Sequence, residues 1–302
     1  MNFSVGVPAG FRFRSVVLSH GWADLSPFRF DPKREVLSVN LLIGGRATAT
    51  AEFSQKGRSL LVGVRSRARL RDSDLDEIGA VARSVLRLDA NMTLFYREAA
   101  RHPEFAWVRK LGAGRLLRAP SVFEDAVKMI CTTNCSWALT KIIITNLCEK
   151  LGHGPAGAKT FPTPADMAER PESFYRNQIR SGYRSPYLVE LSRRVAGGEL
   201  AIERWRDPSV ASAAVREEIS SVNGIGPYAT GNILKLIGRY DELGIDSWCR
   251  KQFALLHRRG RPATDATIEK HYAGFGEWRG LFFWLDLTKE WYEKSYGEIF
   301  GA

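Results

Sequence analysis

The sequence predicts an α+β protein in which a small antiparallel β-sheet domain precedes a larger domain made of helices. Three stretches between residues 34 and 66 alternate polar and apolar side chains, and Gly-containing breaks separate them. Such alternation is typical of half-buried strands joined by hairpins. From Phe105 onward the apolar residues recur at helical spacing. We therefore place a β-rich domain at residues 1–104 and a helical domain at residues 105–302.

The individual elements follow from these periodicities. The strands are predicted in "REVLSVNLLIGG", "RATATAEFSQKG" and "RSLLVGVRS". The spacing then changes to that of a helix in "DSDLDEIGAVARSVLRLD", whose acidic start suits the positive end of the helix dipole. Further helices are predicted in "SVFEDAVKMICTT", "SWALTKIIITNLCEKLG", "SPYLVELSRRVAGG", "VREEISSV", "YATGNILKLIGR", "SWCRKQFALLHRR" and "EWRGLFFWLDLTKEWY".

Charge gives the first indication of a partner. Among the 302 residues, 44 Lys and Arg outnumber 33 Asp and Glu, which leaves a net charge of +11. Such a surplus favours a polyanionic partner, more often nucleic acid than a membrane surface. No segment reaches the roughly 18 apolar residues that a membrane span needs. The start "MNFSVGVPAGFRFR" lacks the apolar centre of a signal peptide. We expect a soluble, monomeric protein of the cytoplasm.

The cysteines indicate neither a metal site nor a disulfide framework. Cys131, Cys135, Cys148 and Cys249 contain no C-x-x-C pair, and no histidine cluster completes a zinc set. We predict four reduced thiols, most of them buried, because cysteine is among the most buried residue types.

The stretch "SVNGIGPYATGNILKLIGR" predicts two helices joined by a tight turn. Pro227 suits the first turn of the second helix, where its missing N–H has no intrahelical partner. Gly224 and Gly226 allow a tight turn with positive φ and leave backbone amides uncovered, which is a cradle for a phosphate group. A plain αα-hairpin turn fits this stretch equally well.

Asp246 follows this second helix. It stands at the N-cap position of the helix predicted in "SWCRKQFALLHRR". Capping alone explains an aspartate there, since Asp is among the best N-cap residues. On the preceding helix, Tyr228, Asn232, Lys235 and Arg239 recur at helical spacing, away from the apolar stripe, and predict a face that lines a polar cleft.

The combination of hairpin, amphipathic helix and Asp246 resembles the helix–hairpin–helix (HhH-GPD) DNA glycosylase superfamily. "SGYRSPYLVEL" and "FPTPADMA" are similar to segments of that family. "MICTTNCSWALTKIIITNLCEKLG" is similar to the helix pair that carries a gap-filling Asn, and "HYAGFGEWRGLFFWLDL" to the helix behind the base pocket. The β-rich first domain matches the 8-oxoguanine and 3-methyladenine branches. The chain lacks the four-cysteine motif of the iron–sulfur branches.

The resemblance implies a catalytic role for Asp246. Glycosylases of this family bind double-stranded DNA, extrude one nucleotide and read its base in a pocket. Asp246 would stabilise the positive charge of the sugar as the glycosidic bond breaks, or orient the attacking water. The family implies no metal in the chemistry, although a structural monovalent or divalent ion at the hairpin carbonyls would fit it.

Two departures from the family pattern change what is expected. Bifunctional members carry a lysine two residues after the second hairpin glycine, and its amine forms a Schiff base with the sugar. Here that position is Tyr228, which predicts a monofunctional enzyme that leaves an abasic site. Leu139 stands where 8-oxoguanine glycosylases use an arginine against the opposite cytosine. Opposite-base selectivity therefore stays open.

Further site residues are carried over by the resemblance. Asn134, Tyr183 and Arg184 would fill the gap in the duplex and touch the orphaned base. The base pocket would include Tyr228, Asn232, Trp248 and Glu277, whose carboxylate can accept from N–H groups on the base edge. Aromatic walls beside a carboxylate suit an alkylated, cationic purine through cation–π attraction, without excluding an oxidised guanine. Asn223, Gly224, Gly226 and Arg250 would contact the DNA backbone. Lys251, Arg258, Arg259 and Arg261 are further basic residues that would follow the backbone, although a solvated face is the commoner role of such a run.

Three function classes follow. The first is a monofunctional glycosylase for a modified purine, with an 8-oxoguanine-type enzyme as a variant of it. The second is a non-catalytic protein that binds DNA through the same hairpin. The third is a basic scaffold protein, which would show no salt-sensitive affinity for DNA.

Overall fold

A computed structural model describes residues 1–296 of the chain. Its N-terminal part contains a five-stranded antiparallel sheet with the strand order β1-β5-β4-β3-β2. The strands are β1 (Asn2–Gly6), β2 (Phe28–Asp31), β3 (Val36–Ile43), β4 (Ala47–Lys56) and β5 (Ser59–Ser66). The predicted antiparallel sheet is confirmed, and so is the α+β class.

The inner face of the sheet is set by the period-two pattern of the sequence. In β3, Leu37, Val39, Leu41 and Ile43 are buried while the residues between them are partly exposed. β4 pairs with β3 in the register that joins Leu37 to Phe53. Alternate residues of both strands therefore point into one apolar layer.

Residues 1–296 also contain fourteen α-helices of very different length. In chain order their bounds are α1 Phe13–Val17, α2 Asp72–Val85, α3 Thr93–Ala99, α4 Ala106–Lys110, α5 Val122–Thr132, α6 Trp137–Leu151, α7 Pro164–Ala168, α8 Glu172–Phe174, α9 Ser185–Ala196, α10 Ser212–Ser220, α11 Pro227–Ile237, α12 Ser247–Arg258, α13 Asp265–Tyr272 and α14 Arg279–Ser295. Short 3-10 segments lie at Gly21–Asp24, Pro103–Phe105, Gly182–Arg184, Ile202–Arg206 and Ala273–Trp278, and a π-helical turn at Tyr175–Ile179. None of the helices in the described part of the chain is long and apolar enough to cross a bilayer.

Among the elements of the N-terminal part, the strands β1 and β2 and the helices α1 and α3 were not predicted from the sequence. β1 and β2 form the two edges of the sheet, and α1 lies between them in the chain. β2 has only four residues, which is too short for an alternating pattern to be recognised. β1 is held by pairing with β5 and by the amino terminus of Met1, which donates to the carbonyl of Val64 at 2.9 Å.

The segment between β1 and β2 connects the sheet to the helices. Asp125 on α5 is fully buried, and its carboxylate accepts from the indole N–H of Trp22 at 2.8 Å and from Arg206 at 2.9 Å. The indole N–H of Trp284 on α14 donates to the carbonyl of Ser19 at 2.9 Å. These bonds fix residues 15–25 against the helical part, and a large cavity lies at that junction.

Candidate active site

The predicted hairpin joins α10 to α11, and Pro227 is the first residue of α11 as expected. Gly224 has φ of +87°, and a Cβ there would lie 2.6 Å from the ring of Tyr187. Gly226 does not share this conformation. Its φ of −89° and ψ of −177° are open to any residue, which corrects the expectation of two positive-φ glycines. What Gly226 provides is open space, because a Cβ there would meet nothing within 4 Å.

The side chain of Asn223 has a partner within the protein. Its amide donates to both carboxylate oxygens of Glu190, at 2.9 and 2.8 Å. This contact ties the exposed turn to α9. What the turn presents to an outside partner is therefore its backbone at the positive end of α11, and not the side chain of Asn223.

Asp246 is positioned by a close approach of two backbone segments. A Cβ on Gly231 of α11 would lie 2.6 Å from the backbone nitrogen of Gly244, so only glycine lets the loop 238–246 pass at this distance. On the other side, the amide of Gly280 in α14 donates to the carbonyl of Tyr240 at 2.7 Å. The loop is thus held between α11 and α14 before it delivers Asp246.

Asp246 caps α12 as predicted. Its Oδ1 accepts from the backbone N–H of Cys249 at 2.7 Å, and the side chain lines the cavity. Capping and a position in a cavity are therefore combined in one carboxylate.

The cavity has a volume of about 1160 Å³ and opens between the two parts of the fold. The helical part contributes Met129, Thr132, Cys135, Trp137, Thr140, Tyr228, Asn232, Lys235, Leu236, Asp246, Trp248, Cys249, Trp284, Trp291 and Ser295. The N-terminal part contributes Arg14, Val17, Leu18, His20, Gly21, Trp22, Ala23, Asp24, Phe28, Arg29, Phe30 and Pro32, and the segment after α4 adds Leu116. None of these N-terminal residues was predicted as a site residue, although "HGWADLSPFRF" is rich in aromatic residues.

Three tryptophans form one wall of the cavity. The ring centroid of Trp248 lies 5.6 Å from that of Trp291 and 6.1 Å from that of Trp284. Trp248 was predicted as a pocket residue, and the structure brings it to the cavity. Trp284 and Trp291 were not predicted because their helical spacing on α14 is also that of an ordinary packing face. Such a wall is large, apolar and suited to stacking.

Tyr228 and Asn232 lie next to each other on the cavity side of α11. The Asn232 amide donates to the carbonyl of Tyr228 at 2.9 Å. Burial raises the pKa of the Tyr228 phenol well above its usual range, and the charge of Asp246 raises it further. Tyr228 is therefore a neutral phenol at any working pH.

Lys235 also lines the cavity. It was predicted on the polar face of α11 but not as a residue of the base pocket. It is 1% exposed, and its Nζ donates to the carbonyl of Leu243 at 2.5 Å. Burial lowers its pKa to about 8, against the opposing effects of Cys249, Glu242 and Asp246.

Two other titratable groups at the cavity do not carry chemistry. Burial lowers the pKa of His20 to about 4, and its Nε2 lies 2.5 Å from the carbonyl of Leu117. Burial and the charge of Asp246 raise the pKa of the Cys249 thiol to about 12. A neutral imidazole and a protonated thiol are poor acid and nucleophile respectively. All four cysteines are free, and Cys131, Cys148 and Cys249 are buried, as expected.

The loop between α5 and α6 carries Asn134, which is exposed and has φ of +44°. Tyr183 is 47% exposed, and its hydroxyl donates to the carbonyl of Thr133 at 3.1 Å. Arg184 was expected to touch DNA, but it is only 3% exposed and donates to the same Thr133 carbonyl. Its guanidinium also lies 4.4 Å from the Tyr183 ring. Arg184 therefore supports the Asn134 loop from inside.

Two predicted residues lie away from the cavity. Glu277 is exposed on the 3-10 segment Ala273–Trp278 and is not part of the cavity lining. Arg250 is exposed on α12, and Asp265 accepts from it at 2.7 and 2.8 Å. Its guanidinium is engaged in a bidentate ion pair.

Three side chains of the metal-ligating type, none of them a cysteine, meet outside the cavity. His257, His271 and Asp286 come from α12, α13 and α14, and their ligand atoms lie within 4.8 Å of one another. Asp286 is already engaged, since it lies 2.7 Å from His257 Nε2 and accepts from Tyr272 at 2.5 Å. The cluster joins three successive helices, and no short sequence motif brings its three members together.

Comparisons of sequence and of structure both find DNA glycosylases. No protein-family model matches the chain. A protein of Bacillus subtilis strain 168, named as a DNA-3-methyladenine glycosylase, is 22% identical over 175 residues. That match covers 55% of this chain and 59% of the relative. The chain thus spans little more than half of the length of this curated relative.

Solved structures match almost the whole chain. The 3-methyladenine DNA glycosylase of Archaeoglobus fulgidus gives a TM-score of 0.75 at 16% identity, covering 96% of this chain and 99% of that one. The 8-oxoguanine glycosylase/lyase of Clostridium acetobutylicum gives 0.73 at 18% identity, covering 95% of each chain. With its sheet, hairpin and capping aspartate, the chain has the fold of the helix–hairpin–helix DNA glycosylases and resembles their 8-oxoguanine and 3-methyladenine branches.

Proposed function

We propose that this protein is a monofunctional DNA glycosylase that hydrolyses the N-glycosidic bond of an extruded, modified purine. The observation that carries the proposal is Asp246, a carboxylate fixed by its helix at the edge of a cavity with aromatic walls. A duplex has no room for chemistry at its base pairs, so the nucleotide must leave the stack and enter such a cavity.

The roles of the residues follow from their positions. Backbone amides of Gly224 and Gly226 in the turn bind the phosphate next to the extruded nucleotide, and the exposed Asn134 enters the gap that the nucleotide leaves. Tyr228, Asn232 and Trp248 contact the base or its sugar in the cavity. Affinity for the duplex comes from the net charge of +11 and falls with salt concentration.

Hydrolysis requires one carboxylate and one water molecule. As the C–N bond breaks, its electron pair stays with the base and the sugar gains positive charge, which Asp246 stabilises. Water then adds to the anomeric carbon and gives up a proton, with Asp246 as the base that receives it, and the released base takes up a proton in turn. The products are a free base and an abasic site.

A monofunctional reaction is favoured by the neutral phenol at position 228. The glycosylase/lyase fold relatives show that this architecture also serves bifunctional enzymes. A phenol cannot form a Schiff base with the sugar, so the reaction ends with water.

The proposal is tested with duplexes that each carry one alkylated, oxidised or deaminated purine. Each duplex is incubated with the protein, and hot alkali then cuts the strand at abasic sites. We expect alkali-dependent cleavage at one or more modified purines. Salt-sensitive binding without cleavage of any duplex would instead favour a non-catalytic DNA-binding protein.

A further inference from the structure

A buried lysine lines the same cavity as the proposed catalytic carboxylate. Tyr228, Asn232 and Lys235 follow one another at steps of four and three residues, which places them on one side of α11. All three line the cavity. Lys235 is the deepest of them, being almost fully buried, whereas the other two are partly exposed.

The charge of Lys235 has no contacting counter-ion. Within residues 1–296, no carboxylate oxygen lies within 4.0 Å of its Nζ. Asp246 and Cys249 on α12 and Glu242 in the preceding loop favour the charged form from farther away. At neutral pH the group is therefore mainly an ammonium ion inside a largely apolar chamber.

The hydrogen bonds of this ammonium group are incomplete. It has three N–H donors, and the carbonyl of Leu243 is its one acceptor among the described residues. The tryptophan walls offer no strong acceptor. A buried N–H donor without an acceptor is unfavourable. A molecule that enters the cavity and offers an acceptor atom to Lys235 is therefore bound more favourably.

We propose that Lys235 reads the extruded base by donating a hydrogen bond to a carbonyl oxygen or an unprotonated ring nitrogen on its edge. The inference rests on the proposed function of the cavity. It names the substrate class as neutral modified purines that present such an acceptor, and it disfavours purines with a fixed positive charge. Aromatic walls alone would attract a cationic base. An ammonium ion in the same low-dielectric chamber repels that base and reverses the preference.

The test compares two otherwise identical duplexes, one with 8-oxoguanine and one with 7-methylguanine, which carries a fixed positive charge. Single-turnover base release is measured for the wild type, Lys235→Met and Lys235→Arg. Lys56→Met, which removes an exposed positive charge outside the cavity lining, is the matched control. The affinity of the same duplexes is measured with Asp246→Asn and with Asp246→Asn/Lys235→Met, so that recognition is read without turnover.

We expect Lys235→Met to shift the ratio of neutral to cationic base release, and the ratio of affinities, by about tenfold toward the cationic base, as the loss of a charge-assisted hydrogen bond implies. Lys235→Arg and Lys56→Met should retain the preference for the neutral base. Ratios that change less than twofold in Lys235→Met would overturn the inference. If no duplex is cleaved but the affinity ratio shifts, the hydrolytic function fails while the reading role stands. A borohydride-trapped adduct that is lost in Lys235→Met would also overturn it, because Lys235 would then be a nucleophile.

Discussion

Asp246 accepts a hydrogen bond of 2.7 Å from the backbone N–H of Cys249, and this bond fixes the carboxylate on the wall of the cavity. The aspartate does not rotate freely, since the loop before it is held against α11 by the close approach of Gly231 and Gly244. A group that is fixed before the substrate enters needs little reorganisation in the transition state.

The phenol at position 228 predicts the absence of lyase chemistry. Incubation with damaged duplex and sodium borohydride should give no covalent adduct, and strand cleavage should require alkali. Tyr228→Phe should retain most of the base release. A phenol whose pKa is raised keeps its proton, so it does not act as the acid of the reaction. An adduct formed by the wild type at the rate of base release would contradict a water nucleophile.

The two hairpin glycines should respond differently to alanine. Gly226→Ala places a methyl group in open space and should change the free energy of unfolding by less than about 0.5 kcal/mol. It should nevertheless weaken duplex binding, because the methyl group stands where a phosphate approaches. Gly224→Ala should destabilise the fold, since it forces a positive φ and meets the Tyr187 ring. Urea unfolding and fluorescence anisotropy with labelled duplex distinguish the two effects, and unchanged affinity in Gly226→Ala would exclude the turn from the DNA interface.

Two substitutions at the loop that carries Asn134 should distinguish a residue that supports the loop from a residue that contacts DNA. Arg184→Ala removes a buried donor to the Thr133 carbonyl and should lower the free energy of unfolding by about 2 kcal/mol. Asn134→Gly keeps the positive φ and removes only the exposed side chain. It should leave stability within about 0.5 kcal/mol while slowing base release about tenfold or more. Equal base release by wild type and Asn134→Gly would show that the gap is filled by another residue.

The buried charge of Lys235 predicts a stability effect with a defined pH dependence. Its folded pKa of about 8 lies below the ordinary value of 10.5, so the ammonium ion destabilises the folded state. At 1.36 kcal/mol per pKa unit the cost is about 3 kcal/mol at pH 7. The lost hydrogen bond to Leu243 offsets about 1–2 kcal/mol of this, so Lys235→Met should raise the free energy of unfolding by about 1–2 kcal/mol at pH 7.

The sign of this effect determines how it changes with pH. Below pH 8 both the folded and the unfolded states hold the proton, and the cost is complete. Between pH 8 and pH 10.5 the folded state loses the proton first, so the cost falls and the advantage of methionine disappears. Urea unfolding at pH 7 and at pH 9.5 measures the difference in free energy of unfolding between Lys235→Met and the wild type, with Lys56→Met as the exposed control. An advantage that is equal at both pH values would mean that apolar packing, and not the buried charge, causes it.

Local patterns were sufficient to predict the three central strands of the sheet, the hairpin and the cap. The alternation in β3 to β5, Pro227 at the start of α11 and Asp246 before α12 are each features of one short segment. The fold class and the family resemblance depend on such segments, and both are confirmed.

The cavity could be predicted only in part, because it forms between segments that are distant in the chain. Tyr228, Asn232 and Lys235 share one helix, so their common side follows from spacing alone. Trp22 and Phe28 reach the cavity through packing of the N-terminal segment on α5, which no local pattern encodes. The burial of Arg184 has the same origin, since Thr133 belongs to another element.

The catalytic role of Asp246 is tested by single-turnover base release by Asp246→Asn, with duplex affinity measured in parallel. Asn caps a helix about as well as Asp, so the fold and the affinity for a cleavable duplex should be kept. The rate of base release should fall by about 100-fold or more, the effect expected on losing a carboxylate that acts in the transition state. Base release at the wild-type rate by a folded Asp246→Asn protein would contradict a catalytic role for this carboxylate.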